Sequence, residues 1–179
     1  GTQGALVFYA TGKSREVTVE PAWWRAPGAE DVAILRVSGP LPKGAIALPL
    51  GSSSDVVGRS YVTFGFPAAR PTEGLFGRCE ILGRALEAGS PVLQLRSVEV
   101  TLGFSGAPVW DAATDRVVGM INYMMLPDEH GRLGEVAFAT PSEVLRSIVP
   151  EFQLSELCPY RGLAAFTSAD AEFFFGREA

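Results

Sequence analysis

The sequence predicts an all-β fold, a sandwich or a barrel. Two observations carry this. Short apolar segments recur along the chain, each closed by a turn signal, and the 179 residues hold 20 glycines and 13 prolines. Helical periodicity is almost absent. Taken in order, ALVFYA (5–10) ends in the turn residues TGKS, and EVTVE (16–20) alternates as a half-buried strand does. The stretch with PAWW and APGAE reads as a loop, and Trp23 and Trp24 within it read as packing under that loop. DVAILRV (31–37) is a continuous apolar run, the mark of a buried strand. SGPLPKG is a loop, and AIALPL is the next apolar segment. SSSD (52–55) is a polar loop. RSYVTFGF (59–66), LFGRCEILGR (75–84) and VLQLR, ending at Arg96, read as strands. APVWD and RVVGMINYM flank DAATD in a hairpin pattern, and EVAFAT (135–140) is the last strand candidate.

One helix is signalled. Thr140-Pro141-Ser142-Glu143 offers an N-cap, a proline at the first helical position and a glutamate three residues after the cap. EVLRSIV then runs to Pro150, closing a domain over 1–150, with 151–157 as a linker. Residues 158–179 have a different character. Thr167 and Asp170 form a second capping pattern, and three consecutive phenylalanines precede Gly176. Such a run needs cover. The tail therefore reads as a partly helical opening segment of a second domain, or else as a helix packed on the barrel.

Composition excludes several classes. Hydrophobic residues make up 47% and charged residues 20%, the balance of a soluble globular domain. A net charge of −5 argues against nucleic acid or an anionic membrane as partner. No apolar run approaches the roughly 20 residues that span a bilayer. The chain opens at Gly1 without a secretory pattern or an initiator methionine, and reads as cut from something longer. Two distant cysteines, Cys79 and Cys158, make no disulfide framework. With one histidine they make no zinc site either, and no metal is expected.

The stretch TLGFSGAPVWD (101–111) carries the chemistry. Ser105 stands between Gly103 and Gly106, and a strand follows. A nucleophile for acyl transfer needs neighbouring N–H groups aimed at a developing oxyanion. Gly103 permits a sharp turn and a close approach, and the amides of Gly103 and Ser105 are the candidate donors. The nucleophile elbow of α/β hydrolases feeds a helix, which this order rules against. A turn serine without chemistry remains open on this stretch alone.

GFSGAPV resembles the G-x-S-G-G-P-hydrophobic signature of trypsin-like (chymotrypsin-fold) serine peptidases. AEDVAILRV is similar to the family's catalytic-aspartate strand, which puts Asp31 in that role. VWDAATDRVVGMIN and EVAFATPSEVL are similar to its second barrel and C-terminal helix, so the resemblance covers about residues 5–150. It implies a chymotrypsin-like double β-barrel whose first barrel is incomplete. It implies a serine endopeptidase acting on protein or peptide without a cofactor, with Ser105 as nucleophile and Asp31 holding a histidine in one tautomer. It also makes Glu99, six residues before the serine, a candidate wall of the substrate pocket, where a carboxylate favours a basic side chain. The family order is His, Asp, Ser. His130 follows the serine in a polar turn, DEHGRLG, and reads as a solvated loop residue. The base is expected upstream of Gly1 and this stretch alone is expected to be inactive. Phe104 stands where many digestive members carry an aspartate that pairs with a new N-terminus after activation cleavage, so that route is closed. Ala107 replaces a second glycine.

CPYRGLAAF and AEFFFGREA resemble the opening of a STAND-class P-loop NTPase domain. That implies a large cytoplasmic bacterial signalling or defence protein. ATP or another nucleotide would bind beyond Ala179, and oligomerisation would run through that module. No G-x-x-x-x-G-K-[ST] occurs here. The alternative function is a degenerate peptidase fold that binds without cleaving.

Overall fold

The computed structural model describes residues 2–154. The tail reading for 158–179 and Cys158 lie outside them. β1 (Thr2–Phe8), β2 (Lys13–Arg25) and β3 (Val32–Val37) form an antiparallel sheet in the order β1-β2-β3. β4 (Ser60–Gly65), β5 (Leu75–Glu87), β6 (Ser90–Arg96), β7 (Pro108–Asp111), β8 (Arg116–Met124) and β9 (Val136–Pro141) close into a barrel, order β4-β5-β6-β9-β8-β7. One helix, α1 (Ser142–Ile148), follows. The fold is all-β and chymotrypsin-like, with the first barrel represented by the three-stranded sheet.

Alternation drives the closure. In β6, Leu93 and Leu95 point inward at 0% exposure, and they meet Ile81, Val109, Ile121 and Ala139. Two inward-facing positions are glycines, Gly65 and Gly77, and the missing side chain at Gly65 leaves room for a residue from outside the strands.

Two readings of the sequence are corrected. PAWW is not a loop: it lies inside β2, which runs unbroken for 13 residues. Pro21 is tolerated because the β2–β3 register shifts between Val19 and Trp24, where no ladder N–H is required. AIALPL forms no strand. It contributes isolated bridges from Leu50 to Val117 and to Leu154, and Pro49, which has no N–H, serves as acceptor for Val117. The helix is not capped by Thr140. Thr140 belongs to β9, Pro141 is the N-cap, and no side chain caps the helix. Thr140 Oγ1 instead donates to the Glu30 carbonyl at 3.4 Å.

Glu143 is drawn elsewhere too. Its carboxylate accepts from Ser53 N–H (2.7 Å), Ser53 Oγ–H (2.5 Å) and Ser52 Oγ–H (3.0 Å). Ser142 Oγ donates to the Gly51 carbonyl at 2.5 Å, and the Arg84 guanidinium donates to Ser53. The GSSS segment is thereby stapled to the start of α1, so the long connection between sheet and barrel is anchored at its middle. On its apolar side α1 packs Val144 and Ile148 against Val32 of β3, with Trp23 and Ile34 alongside. At the other end of the sheet, the Tyr9 ring meets Phe64 and Phe66 of the barrel side at centroid distances of 5.7 and 5.3 Å.

Candidate active site

Residues 101–107 form two consecutive β-turns. Phe104 N–H donates to the Thr101 carbonyl at 3.1 Å, and Ala107 N–H donates to the Phe104 carbonyl at 2.9 Å. Each turn has a glycine at its third position, Gly103 with φ 102° and Gly106 with φ 86°. That position demands a positive φ when the turn is of type II. The three-residue spacing of Gly103 and Gly106 is thus the repeat of the turn itself. At Gly103 a second constraint applies: a Cβ there would strike the Phe66 carbonyl and the Ala68 nitrogen.

Ser105 sits at the second position of the second turn and is exposed. Its Oγ donates to the Asn122 carbonyl at 2.7 Å. The loop then zips onto β8 through Gly106 N–H to the Ile121 carbonyl and Ile121 N–H to the Ala107 carbonyl, both 2.8 Å. Among the described residues the amides of Gly103 and Ser105 have no acceptor. Two free N–H groups flank an exposed hydroxyl, an arrangement suited to a developing oxyanion.

Asp31 lies on the sheet, one residue before β3, with φ 49°. Aspartate tolerates this left-handed conformation better than most residues. It directs Asp31 out to solvent while Val32 is buried at 2% exposure. Among the described residues the carboxylate accepts no hydrogen bond. Asp31 and Ser105 are linked indirectly. Ser105 Oγ reaches the Asn122 backbone, Asn122 Nδ2 lies 3.5 Å from Thr140 Oγ1, and Thr140 binds the carbonyl of Glu30. Sequence reasoning missed Asn122, which nothing in its local pattern sets apart from an ordinary strand residue, and it gave Thr140 the role of a helix cap instead.

Glu99 accepts the Arg78 backbone N–H at 2.5 Å. It lines a cavity of about 280 Å³ with Arg78, Glu80, Arg96 and Glu135, and Ser105 is not part of that wall. His130 lies in the β8–β9 loop, its side chain 65% exposed, 3.5 Å from the Glu129 carboxylate. The Cys79 thiol is buried in the barrel, and burial pushes its pKa up to about 12, which makes it inert as a nucleophile.

The model of the trypsin-like peptidase domain family matches residues 2–120, which include both Asp31 and Ser105. The chain belongs to the trypsin-like peptidase family. Its fold is similar to that of Rv3671c from M. tuberculosis, a serine-to-alanine mutant in an inactive form. The TM-score is 0.57 and identity 22%, over 80% of this chain and 67% of that one. It is also similar to the HtrA-type protease AlgW solved with a decapeptide, with TM-score 0.62 and identity 18%. That match covers 85% of this chain and 46% of AlgW, so the chain spans about half the length of that structure. No curated protein matches the sequence. No helix among the described residues is long and apolar enough to cross a membrane.

Proposed function

We propose that this peptidase-family chain carries the nucleophile and orienting carboxylate of a serine endopeptidase. The observation that carries the reading is the double turn, with an exposed Ser105 hydroxyl between two unpaired amides. In the mechanism, Ser105 Oγ attacks a peptide carbonyl and forms an acyl-enzyme. The Gly103 and Ser105 amides hold the oxyanion, and Asp31 orients the imidazole that takes the serine proton. His130 is not that imidazole, because it is exposed in the β8–β9 loop beside Glu129. The mechanism therefore needs a histidine that these 179 residues do not contain. No metal or organic cofactor enters it.

The substrate class is protein or peptide. AlgW was solved with a decapeptide, and here β8 has no strand partner beyond Ile121 on the Ser105 side among the described residues. An extended peptide adding a strand there would pass its carbonyl by Ser105. Glu99 stays the candidate for choosing a basic side chain, on its place six residues before the serine. By the resemblance of 158–179, the peptidase is the effector of a cytoplasmic signalling or defence protein. A nucleotide-binding STAND module would follow it and provide for oligomerisation, and a P-loop beyond Ala179 is the check.

Fluorophosphonate labelling tests the reading. Residues 1–179 alone are expected not to label. The longer protein, carrying a histidine upstream, is expected to label at Ser105. Asp31→Asn should slow labelling by roughly 10⁴-fold, and Ser105→Ala should abolish it. A longer protein that never labels supports instead a degenerate peptidase fold that binds without cleaving.

A further inference from the structure

The loop that presents Ser105 is exposed at Thr101, Leu102, Gly103, Ser105 and Gly106, yet Phe104 in its middle is 1% exposed. The ring enters the barrel core beside Val100, Ala107 and Val109. Gly65 makes the space. A Cβ there would lie 2.5 Å from Phe104 Cδ1, whereas one on Gly77 would only touch Cε1 at 3.6 Å, an ordinary contact. No side chain at 65 is compatible with the ring where it sits.

The backbone of Phe104 belongs to both turns. Its N–H closes the first and its carbonyl closes the second. The residues on either side of it contribute the two unpaired amides. A second contact fixes the first of these peptides. Ala68 N–H donates to the Leu102 carbonyl at 2.6 Å. A trans peptide holds its C=O and N–H on opposite sides, so binding the Leu102 carbonyl to Ala68 turns the Gly103 N–H the other way, away from the 66–68 segment.

We propose that Phe104 is a positioning residue. Its ring, seated against Gly65 and Gly77, holds the double turn so that the Gly103 and Ser105 amides are set for an oxyanion as soon as the barrel folds. This rests on reading Ser105 as the nucleophile. A carboxylate at 104 would need a buried cation to offset its desolvation. A phenyl ring needs only the space that Gly65 leaves. The nucleophile loop is thereby built without a charged partner or a newly made N-terminus.

The test is amide hydrogen exchange by NMR on residues 1–179, comparing the wild type with Phe104→Ala and Phe104→Leu. The loop reporters are Ala68 N–H and Ala107 N–H. The barrel reporters are Ile81 N–H and Ser97 N–H, which bond to the Arg59 and Glu135 carbonyls. In Phe104→Ala the loop amides should speed up about ten-fold more than the barrel amides, and Phe104→Leu should restore most of the difference. Equal acceleration of all four amides, or unchanged loop amides, overturns the proposal. Should Phe104→Ala fail to fold, the same ratio is read from Phe104→Leu against wild type. Exchange reports the loop and not the chemistry. A failure of labelling at Ser105 and a failure here are therefore separate results.

Discussion

The barrel and the three-stranded sheet use the same kinds of strand and end with different interiors. In the barrel, Ile81, Leu93, Leu95, Val109 and Ala139 are wholly enclosed. In the sheet, among the described residues of β1 to β3, only Val17 and Val32 are buried. Val7 is 62% exposed, Trp24 51% and Leu35 42%. Closure makes the difference. Six strands paired edge to edge give every inward side chain neighbours all round, while an open sheet has one face against the helix and another in water. The candidate site is divided along the same line. Ser105 and both candidate oxyanion donors are built by the barrel, whereas Asp31 is held by β3, by the packing of Val32 on α1, and by the Thr140 contact to Glu30. The Ser105 half of the proposed site rests on the barrel alone, and the Asp31 half depends on what holds the sheet.

The sharpest way to break the barrel is Leu93→Ala. Leu93 has 0% exposure and lies against Gly119, where a Cβ would meet Leu93 Cδ1 at 3.3 Å. Truncation leaves a cavity that a closed barrel cannot collapse, at a cost of about 2–5 kcal/mol by urea unfolding. A cost below about 1 kcal/mol would mean that the barrel relaxes as freely as a surface.

The joint between the two regions is tested at Glu143. Burial pushes its carboxyl up, but the hydrogen bonds from Ser53 Oγ–H and N–H and from Ser52 outweigh this and hold it below its ordinary range. A carboxyl depressed in the folded state stabilises the fold above its unfolded pKa, and that contribution is lost as pH falls through the folded value. The wild type should therefore lose stability on acidification below about pH 4.5, and Glu143→Gln should show a flatter acid limb. At neutral pH Glu143→Ala should cost about 2 kcal/mol, since it strands the Ser53 donors. An acid limb identical in wild type and Glu143→Gln would remove Glu143 from the joint.

Legibility in the sequence followed the same division. The barrel strands were readable because alternation and turn residues agree along each of them, as in SYVTFG and VLQLR. A turn at Gly103 was readable because glycine near a serine is a local signal, whereas the second turn closed by Ala107 was not read. β2 was misread because Pro21 marks a break in any local rule, and only the shifted pairing with β3 shows that no N–H is missing there. Thr140 was misread as a cap because its local surroundings fit one, and the Glu30 carbonyl that claims its hydroxyl lies 110 residues away in the chain. Asn122 was invisible because it meets Ser105 through its backbone carbonyl, which every residue has.

The smallest expected effect sharpens the comparison most. Leu35 pairs with Val19 across the sheet and is 42% exposed. Half-exposed strand positions of this kind cost little when truncated, and Leu35→Ala should change unfolding stability by no more than about 0.5 kcal/mol. The measurement uses residues 1–179 at two protein concentrations. A cost as large as that of Leu93→Ala would mean that this face is covered in solution. If that cost rises with concentration, the cover is a second copy of the chain. If it does not, the cover comes from the same chain, outside residues 2–154. A cost near zero leaves the sheet as a one-sided platform, and Asp31 then owes its place to α1 and Thr140 alone.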